Sequence, residues 1–363
     1  MKHLLRICVV SSIVLALASL ACAQDGSTRA EFECLRMSRT SGVAVPGHPE
    51  PFASYHHVWT PGLTYGSFKS NGLNLTYETQ GTGAEIVIIV HGGAGLPHEY
   101  FHPMLSNLSR YAKLVYFDRR ADTLSTSGSQ QMATLEEMAQ DIDALRVALG
   151  VNRVTLLGHS FGGAIALNYA LSHPDNVKRL ILVSASPVIE NPYEAEKRIM
   201  KTLTPAERTI YASNEGGKGA ASPCDRVLKR YAVLYRHYFH KLIPYEFDRG
   251  VYTAYFDALA KKNALASEDK GVDVEAQLGE IKVPVLVFAG KYDLVTPPDQ
   301  TAELAKGLPK SKLVVMEHSA HFPFFEENYL FTQWVRQFLA STSESLDDRM
   351  SPPPATGSTS GSR

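Results

Sequence analysis

The segment Val154-Thr155-Leu156-Leu157-Gly158-His159-Ser160-Phe161-Gly162 decides how the rest of the chain is read. Residues 154–157 read as a strand, and residues 162–172 as a helix. Between them lies Gly-x-Ser-x-Gly. As a bare pentapeptide it is a weak signal, but at a strand-to-helix turn it is a strong one. Such a turn is too tight for side chains at its flanking positions, so Gly158 and Gly162 fit there and Ser160 is lifted into the open. A serine hydroxyl is a poor nucleophile at neutral pH and needs an adjacent base. The bland alternative is a Gly/Ser-rich connection in a non-catalytic α/β domain. The flanking sequence has to decide between the two.

Working outward, strand and helix alternate. Residues 66–77 read as a β-hairpin turning at Asn71-Gly72, a dipeptide that tolerates the positive φ of a type I′ turn. The continuous apolar run 86–90 suits a strand covered on both faces. A helix is expected around 97–109, a strand over 113–117 and an amphipathic helix over 134–149, with Glu136 and Glu137 in its first turn where the helix dipole favours negative charge. A strand at 180–183 follows the central helix. The rhythm breaks over 187–279, a helical stretch holding eight of the 17 tyrosines. It resumes with strands 283–288 and 312–316 and helices 299–307 and 326–339. This is a parallel α/β sheet with a mainly helical insertion after its sixth strand.

The base and its orienting acid should follow the serine, acid first. Asp293 lies just past strand 283–288 and His321 just past strand 312–316. Both therefore fall at carboxyl ends of parallel strands, the edge where such sheets place their sites. The imidazole would take the proton from Ser160, and the carboxylate would hold the ring's tautomer and stabilise the imidazolium. Asp299 and Asp118 compete with Asp293, and His318 competes with His321. An oxyanion hole is expected from His91-Gly92-Gly93-Ala94-Gly95, whose glycines let backbone N–H groups face a developing alkoxide. Gly93 is assigned as one donor, with Gly92 as the alternative, and Phe161 N–H as the other.

Together these residues resemble an α/β-hydrolase-fold serine hydrolase over about 68–339. The resemblance implies a mostly parallel sheet flanked by helices, with the insertion as a cap. The His-Gly-Gly-x-Gly form and the cap are most similar to the proline iminopeptidase (prolyl aminopeptidase) family. That family usually carries Pro where Ala94 stands. Its Asp-x-Arg-Gly-x-Gly-x-Ser segment appears here as Asp118-Arg119-Arg120-Ala121-Asp122-Thr123-Leu124-Ser125, without either glycine. The elbow Gly-His-Ser-Phe-Gly-Gly is shared with many esterases, lactonases and carbon–carbon bond hydrolases. The resemblance thus implies a serine hydrolase of small-molecule or short-peptide substrates, with an esterase-like or aminopeptidase-like specificity. A catalytically silent binding protein of the same fold is the contrasting class. An intact triad speaks against it.

The domain reading follows. Residues 1–23 are expected to be a signal peptide: Lys2, His3 and Arg6 precede an apolar stretch, and Ala21-Cys22-Ala23 offers small residues before a cleavage at Gln24. A retained anchor and a lipidated Cys22 are the competing readings, so secretion or the periplasm is expected. Residues 24–65 form an extension, 66–186 and 280–340 the core, 187–279 the cap and 341–363 a Ser/Pro/Gly-rich disordered tail. Export permits a Cys34–Cys224 bridge, though two free thiols fit equally. With 36 Lys+Arg against 37 Asp+Glu and no basic run, neither nucleic acid nor a membrane surface is an expected partner.

Tyr231, Tyr235 and Tyr238 share one helix face, which would pack on the core or line a pocket. Glu190, Glu194, Glu196, Glu207, Glu246 and Asp248 are the cap acids available to hold a substrate ammonium. His98 and His102, spaced i, i+4, would suit a metal, but no third ligand is evident, so no metal and no cofactor is expected.

Overall fold

The computed structural model describes residues 62–93, 98–120, 134–188, 192–212, 233–234, 236–241 and 274–341. The expected signal peptide, all four cysteines, most of the cap and the tail lie outside them. An eight-stranded sheet dominates: β1 (Leu63–Ser70), β2 (Leu73–Gln80), β3 (Ile86–Val90), β4 (Lys113–Phe117), β5 (Val154–His159), β6 (Val177–Val183), β7 (Val285–Gly290) and β8 (Ser311–Met316). Their spatial order is β1-β2-β4-β3-β5-β6-β7-β8. β1 pairs antiparallel with β2, and β2 with β4; every other pairing is parallel. The hairpin turns where expected, with φ of 44° at Asn71 and 79° at Gly72.

The central strands are buried on both faces, so their side chains alternate between two cores. On one face Val87, Ile89, Leu114, Tyr116, Leu157, Ile181, Leu286 and Phe288 pack with Phe101, Leu105, Phe331, Val335 and Phe338. On the other, Ile88, Val90, Val115, Leu156, Leu180, Leu182 and Val287 pack with Met138, Ile142, Leu145, Ile165, Tyr169 and Leu304. Among the described residues the helices are α1 (His102–Leu105), α2 (Leu135–Ala148), α3 (Phe161–Ser172), α4 (Pro192–Thr202), α5 (Pro205–Ala212), α6 (Val274–Gln277), α7 (Pro298–Gly307), α8 (Pro323–Glu326) and α9 (Asn328–Ala340). Helix α2 opens with a full capping box: Thr134 Oγ1 accepts from Glu137 N–H, and the Glu137 carboxylate accepts from Thr134 N–H.

Two expected helices come out differently. The one expected around 97–109 is a single α-turn, α1, between 3₁₀ turns His98–Phe101 and Ser106–Arg110. Pro103 has no N–H to give the carbonyl four residues back, so a regular ladder cannot run through it from residue 97, and the α-turn starts only at His102 with Pro103 in its first turn. The Ser106 hydroxyl then takes the His102 carbonyl at its far end. The helix expected over 326–339 is split at Glu327, whose backbone (φ −123°, ψ 48°) leaves helical geometry. Its carboxylate instead accepts from His318 N–H at 2.9 Å and Ser319 Oγ at 2.6 Å.

Candidate active site

Strand β5 runs into α3 through Ser160, which sits at φ 53°, ψ −123°, a strained backbone for a residue with a side chain. The flanking glycines make this possible. A Cβ on Gly162 would stand 2.2 Å from the Val90 carbonyl oxygen, and one on Gly158 would stand 2.6 Å from the Gly162 oxygen. Helix α3 can therefore sit directly against β3 and β5. Ser160 N–H donates to Val183 C=O at 2.9 Å, which ties the elbow to β6. Ser160 is also the N-cap of α3, so Phe161 N–H lies in the first turn, where amides lack intrahelical acceptors and the helix dipole is positive.

Asp293 and His321 meet. Asp293 Oδ2 lies 2.8 Å from His321 Nδ1, and both side chains are buried. The other carboxylate oxygen accepts from Val295 N–H at 2.8 Å and Thr296 N–H at 2.9 Å. Three hydrogen bonds thus fix the carboxylate, and it fixes the ring. The competitors lie elsewhere: His318 is exposed, Asp299 accepts from Gln300 N–H in the first turn of α7, and Asp118 accepts from His98 Nδ1 at 2.8 Å.

The loop after β3 is held by residues whose part is not evident from the sequence. Gly92 N–H donates to the Tyr100 hydroxyl at 2.8 Å. That hydroxyl lies 2.8 Å from His159 Nδ1, and His159 Nε2 lies 2.9 Å from the His321 carbonyl. A carbonyl can only accept, so His159 carries its proton on Nε2 and accepts from Tyr100 on Nδ1. Burial drives the His159 pKa well down, with the nearby His321 adding to it, and burial raises that of Tyr100. Both are neutral, and together they join the glycine loop, the serine elbow and the histidine loop. Buried Arg119 adds a second clamp: its guanidinium donates to the Gly93 carbonyl and lies 5.2 Å from the Phe161 ring centroid. In the sequence His159 reads only as the second residue of a common elbow, and nothing local marks Tyr100 or Arg119.

The histidine loop is also tied to residues 236–241, in the stretch expected to form the cap. His321 N–H donates to Tyr238 C=O at 3.0 Å. The Glu326 carboxylate accepts from Ala320 N–H with one oxygen and from His240 and Lys241 N–H with the other. Burial raises the Glu326 pKa against these bonds. Tyr238 itself is buried, its ring 5.7 Å from that of His321, so this member of the tyrosine stripe packs on the core. Tyr231 and Tyr235 lie outside the described residues.

A sheet of this order, with a serine elbow after β5, an acid after β7 and a histidine after β8, defines an α/β hydrolase. A family model described as "alpha/beta hydrolase fold" matches residues 85–328, and the chain belongs to that family. Within it the chain stands near the proline iminopeptidases. It is 28% identical over 292 residues to the proline iminopeptidase of Saccharolobus solfataricus, covering 74% of this chain and 89% of that protein. It is 28% identical over 272 residues to that of Heyndrickxia coagulans, covering 71% and 92%. The solved esterase of Exiguobacterium antarcticum shares the fold, with a TM-score of 0.57 at 23% identity over 76% of this chain and 99% of that one. The protein is a hydrolase of this fold.

Proposed function

We propose that the protein is an exported serine hydrolase that works through an acyl-enzyme on esters, lactones or amides of small organic molecules. Ser160 Oγ attacks the carbonyl carbon while His321 Nε2 takes its proton. The same proton then leaves with the departing alkoxide or amine. A water molecule repeats the sequence on the acyl-serine and frees the acid. Asp293 keeps the His321 proton on Nδ1 and stabilises the imidazolium. Gly93 and Phe161 N–H groups receive the oxyanion, and Gly92 is set aside because its N–H is already given to Tyr100.

The observation that carries this reading is the buried 2.8 Å pairing of His321 with Asp293, in a hydrolase-fold chain whose serine elbow is intact. A fluorophosphonate should label Ser160 alone. Ser160→Ala and His321→Ala should each lower kcat by at least about 10⁴, and the double variant should be barely worse, because the pair acts as one unit. An adduct on another residue, or additive losses, would overturn the assignment. Amino-terminal sequencing of the exported protein should begin at Gln24.

An aminopeptidase specificity is favoured by the named relatives. It calls for a cap carboxylate facing the substrate ammonium. Of the six candidate cap acids named above, three are described: Glu194 pairs with Lys197, Glu196 accepts from the Tyr211 hydroxyl, and Glu207 caps its own helix beside His237. Each is engaged within the cap, and the glycines of the family's Asp-x-Arg-Gly-x-Gly segment are replaced by Ala121 and Thr123. The ester and lactone reading is therefore preferred. Short-chain p-nitrophenyl esters should turn over, and prolyl-naphthylamide should not. Fast cleavage of that amide with a free amino group, lost on N-acetylation, would reverse the preference.

A further inference from the structure

Among the described residues, Glu78, His98 and His102 form a cluster able to hold a metal ion. The histidine pair was visible in the sequence without a third ligand, and the expectation of no metal rested on that lack. The structure supplies a candidate third ligand. The missing carboxylate comes from β2, where Glu78 stands opposite Tyr116 in the sheet register. Glu78 Oε2 lies 3.1 Å from His102 Nε2 and 3.4 Å from His98 Nε2, and the three ligand atoms lie within 4.8 Å of one another. Tetrahedral ligands on bonds of about 2.0–2.2 Å stand roughly 3.3–3.5 Å apart, so the spacing suits an ion at the common focus.

Two further features fit a ligand set better than a simple ion pair. Glu78 Oε2 and His102 Nε2 are buried and face each other at 3.1 Å, outside regular hydrogen-bond geometry. The other nitrogen of His98 is already committed: Nδ1 lies 2.8 Å from Asp118 Oδ1, which also accepts His98 N–H at 2.9 Å. A carboxylate on the far nitrogen fixes the ring and turns the Nε2 lone pair toward the focus, the arrangement usual behind metal-bound histidines.

We propose that Glu78 Oε2, His98 Nε2 and His102 Nε2 bind one divalent first-row transition ion, with zinc the best match. Two imidazoles in three ligands disfavour calcium and magnesium, which take oxygen ligands. Three protein ligands leave a coordination position for water or the second Glu78 oxygen on the side where Glu78 is partly exposed. The ion's role is to staple the 98–102 turn to β2. Tyr100, which positions Gly92 and His159, lies between the two histidines, so the staple sets the base of the glycine loop and takes no part in bond making.

The test reads metal content, so its outcome is independent of the hydrolase reading. Full-length exported protein, purified without a histidine tag, is stripped with EDTA, reloaded with Zn²⁺, freed of excess and analysed for metal. It should retain one zinc per chain and unfold at a higher temperature when loaded. Co²⁺ should give the intense visible bands of a four-coordinate site. His102→Gln should abolish retention, and the milder Asp118→Asn should weaken zinc binding by about 10–100-fold. Wild-type protein that retains no zinc and shows no Co²⁺ bands would overturn the proposal. So would zinc binding unchanged in a folded His102→Gln or Asp118→Asn variant.

Discussion

Tyr100 serves two neighbours with one hydroxyl. It receives the Gly92 amide proton and gives its own to His159, whose remaining N–H goes to the His321 carbonyl. The direction of each bond follows from the first, since an amide only donates and a carbonyl only accepts. Tyr100→Phe keeps the ring and removes the junction, leaving a buried amide and an imidazole nitrogen without their partner. An unsatisfied buried group costs about 1–3 kcal/mol, so urea unfolding should report a loss of that order. The kcat on p-nitrophenyl esters should fall with little change in KM, because the change shifts the glycine loop proposed to bind the oxyanion and spares the substrate pocket. A fully active variant of unchanged stability would mean that the junction does not position the loop.

At the scale of elements, the alternation of strands and helices was legible because most central strands carry a short apolar run (β6 starts before its run, with Lys178 and Arg179 among its first residues) and each glycine turn has a local cause. Ser160, Asp293 and His321 were legible for the same reason: each follows a readable strand. What escaped was non-local. Nothing near His98 announces Glu78, because the third ligand arrives by strand pairing twenty residues away. Tyr100 was hidden because a buried tyrosine reads as core until its hydroxyl is seen, and Glu326 and Glu327 because helix periodicity does not show that carboxylates have been drawn off to a neighbouring loop. A close contact between elements sits at Gly162, where an added Cβ would stand 2.2 Å from the Val90 carbonyl oxygen. Gly162→Ala should push α3 off β3, and overpacking of this kind costs about 1–3 kcal/mol, here with no flexible side chain able to yield. The urea midpoint should drop. Labelling of Ser160 by fluorophosphonate should slow as Phe161 shifts, and an unperturbed variant would contradict the tight elbow.

For the molecule as a whole, acid should be more damaging than the near-neutral charge suggests. Burial holds His159 and His91 far below the ordinary histidine value, with Arg119 adding to the effect at His91. Above about pH 6.5 both rings are neutral whether the chain is folded or not, so they leave stability unchanged. Below it the unfolded chain takes up protons that the folded chain refuses. Each ring then removes up to about 1.4 kcal/mol per pH unit. Glu326, raised by burial, opposes this by at most one proton. Urea unfolding between about pH 7 and pH 5 should show the decline, and it should be shallower in His159→Gln; a flat profile would contradict neutral burial. The carboxylate of Glu326 has one more consequence. It gathers the amides of Ala320, His240 and Lys241, while the His321 amide rests on Tyr238. These four hydrogens share one opening event, so they should exchange with deuterated solvent in step. Any substrate that lifts the 236–241 segment starts isotope uptake at His321 at the same moment, which makes that single amide a clock for the movement of that segment.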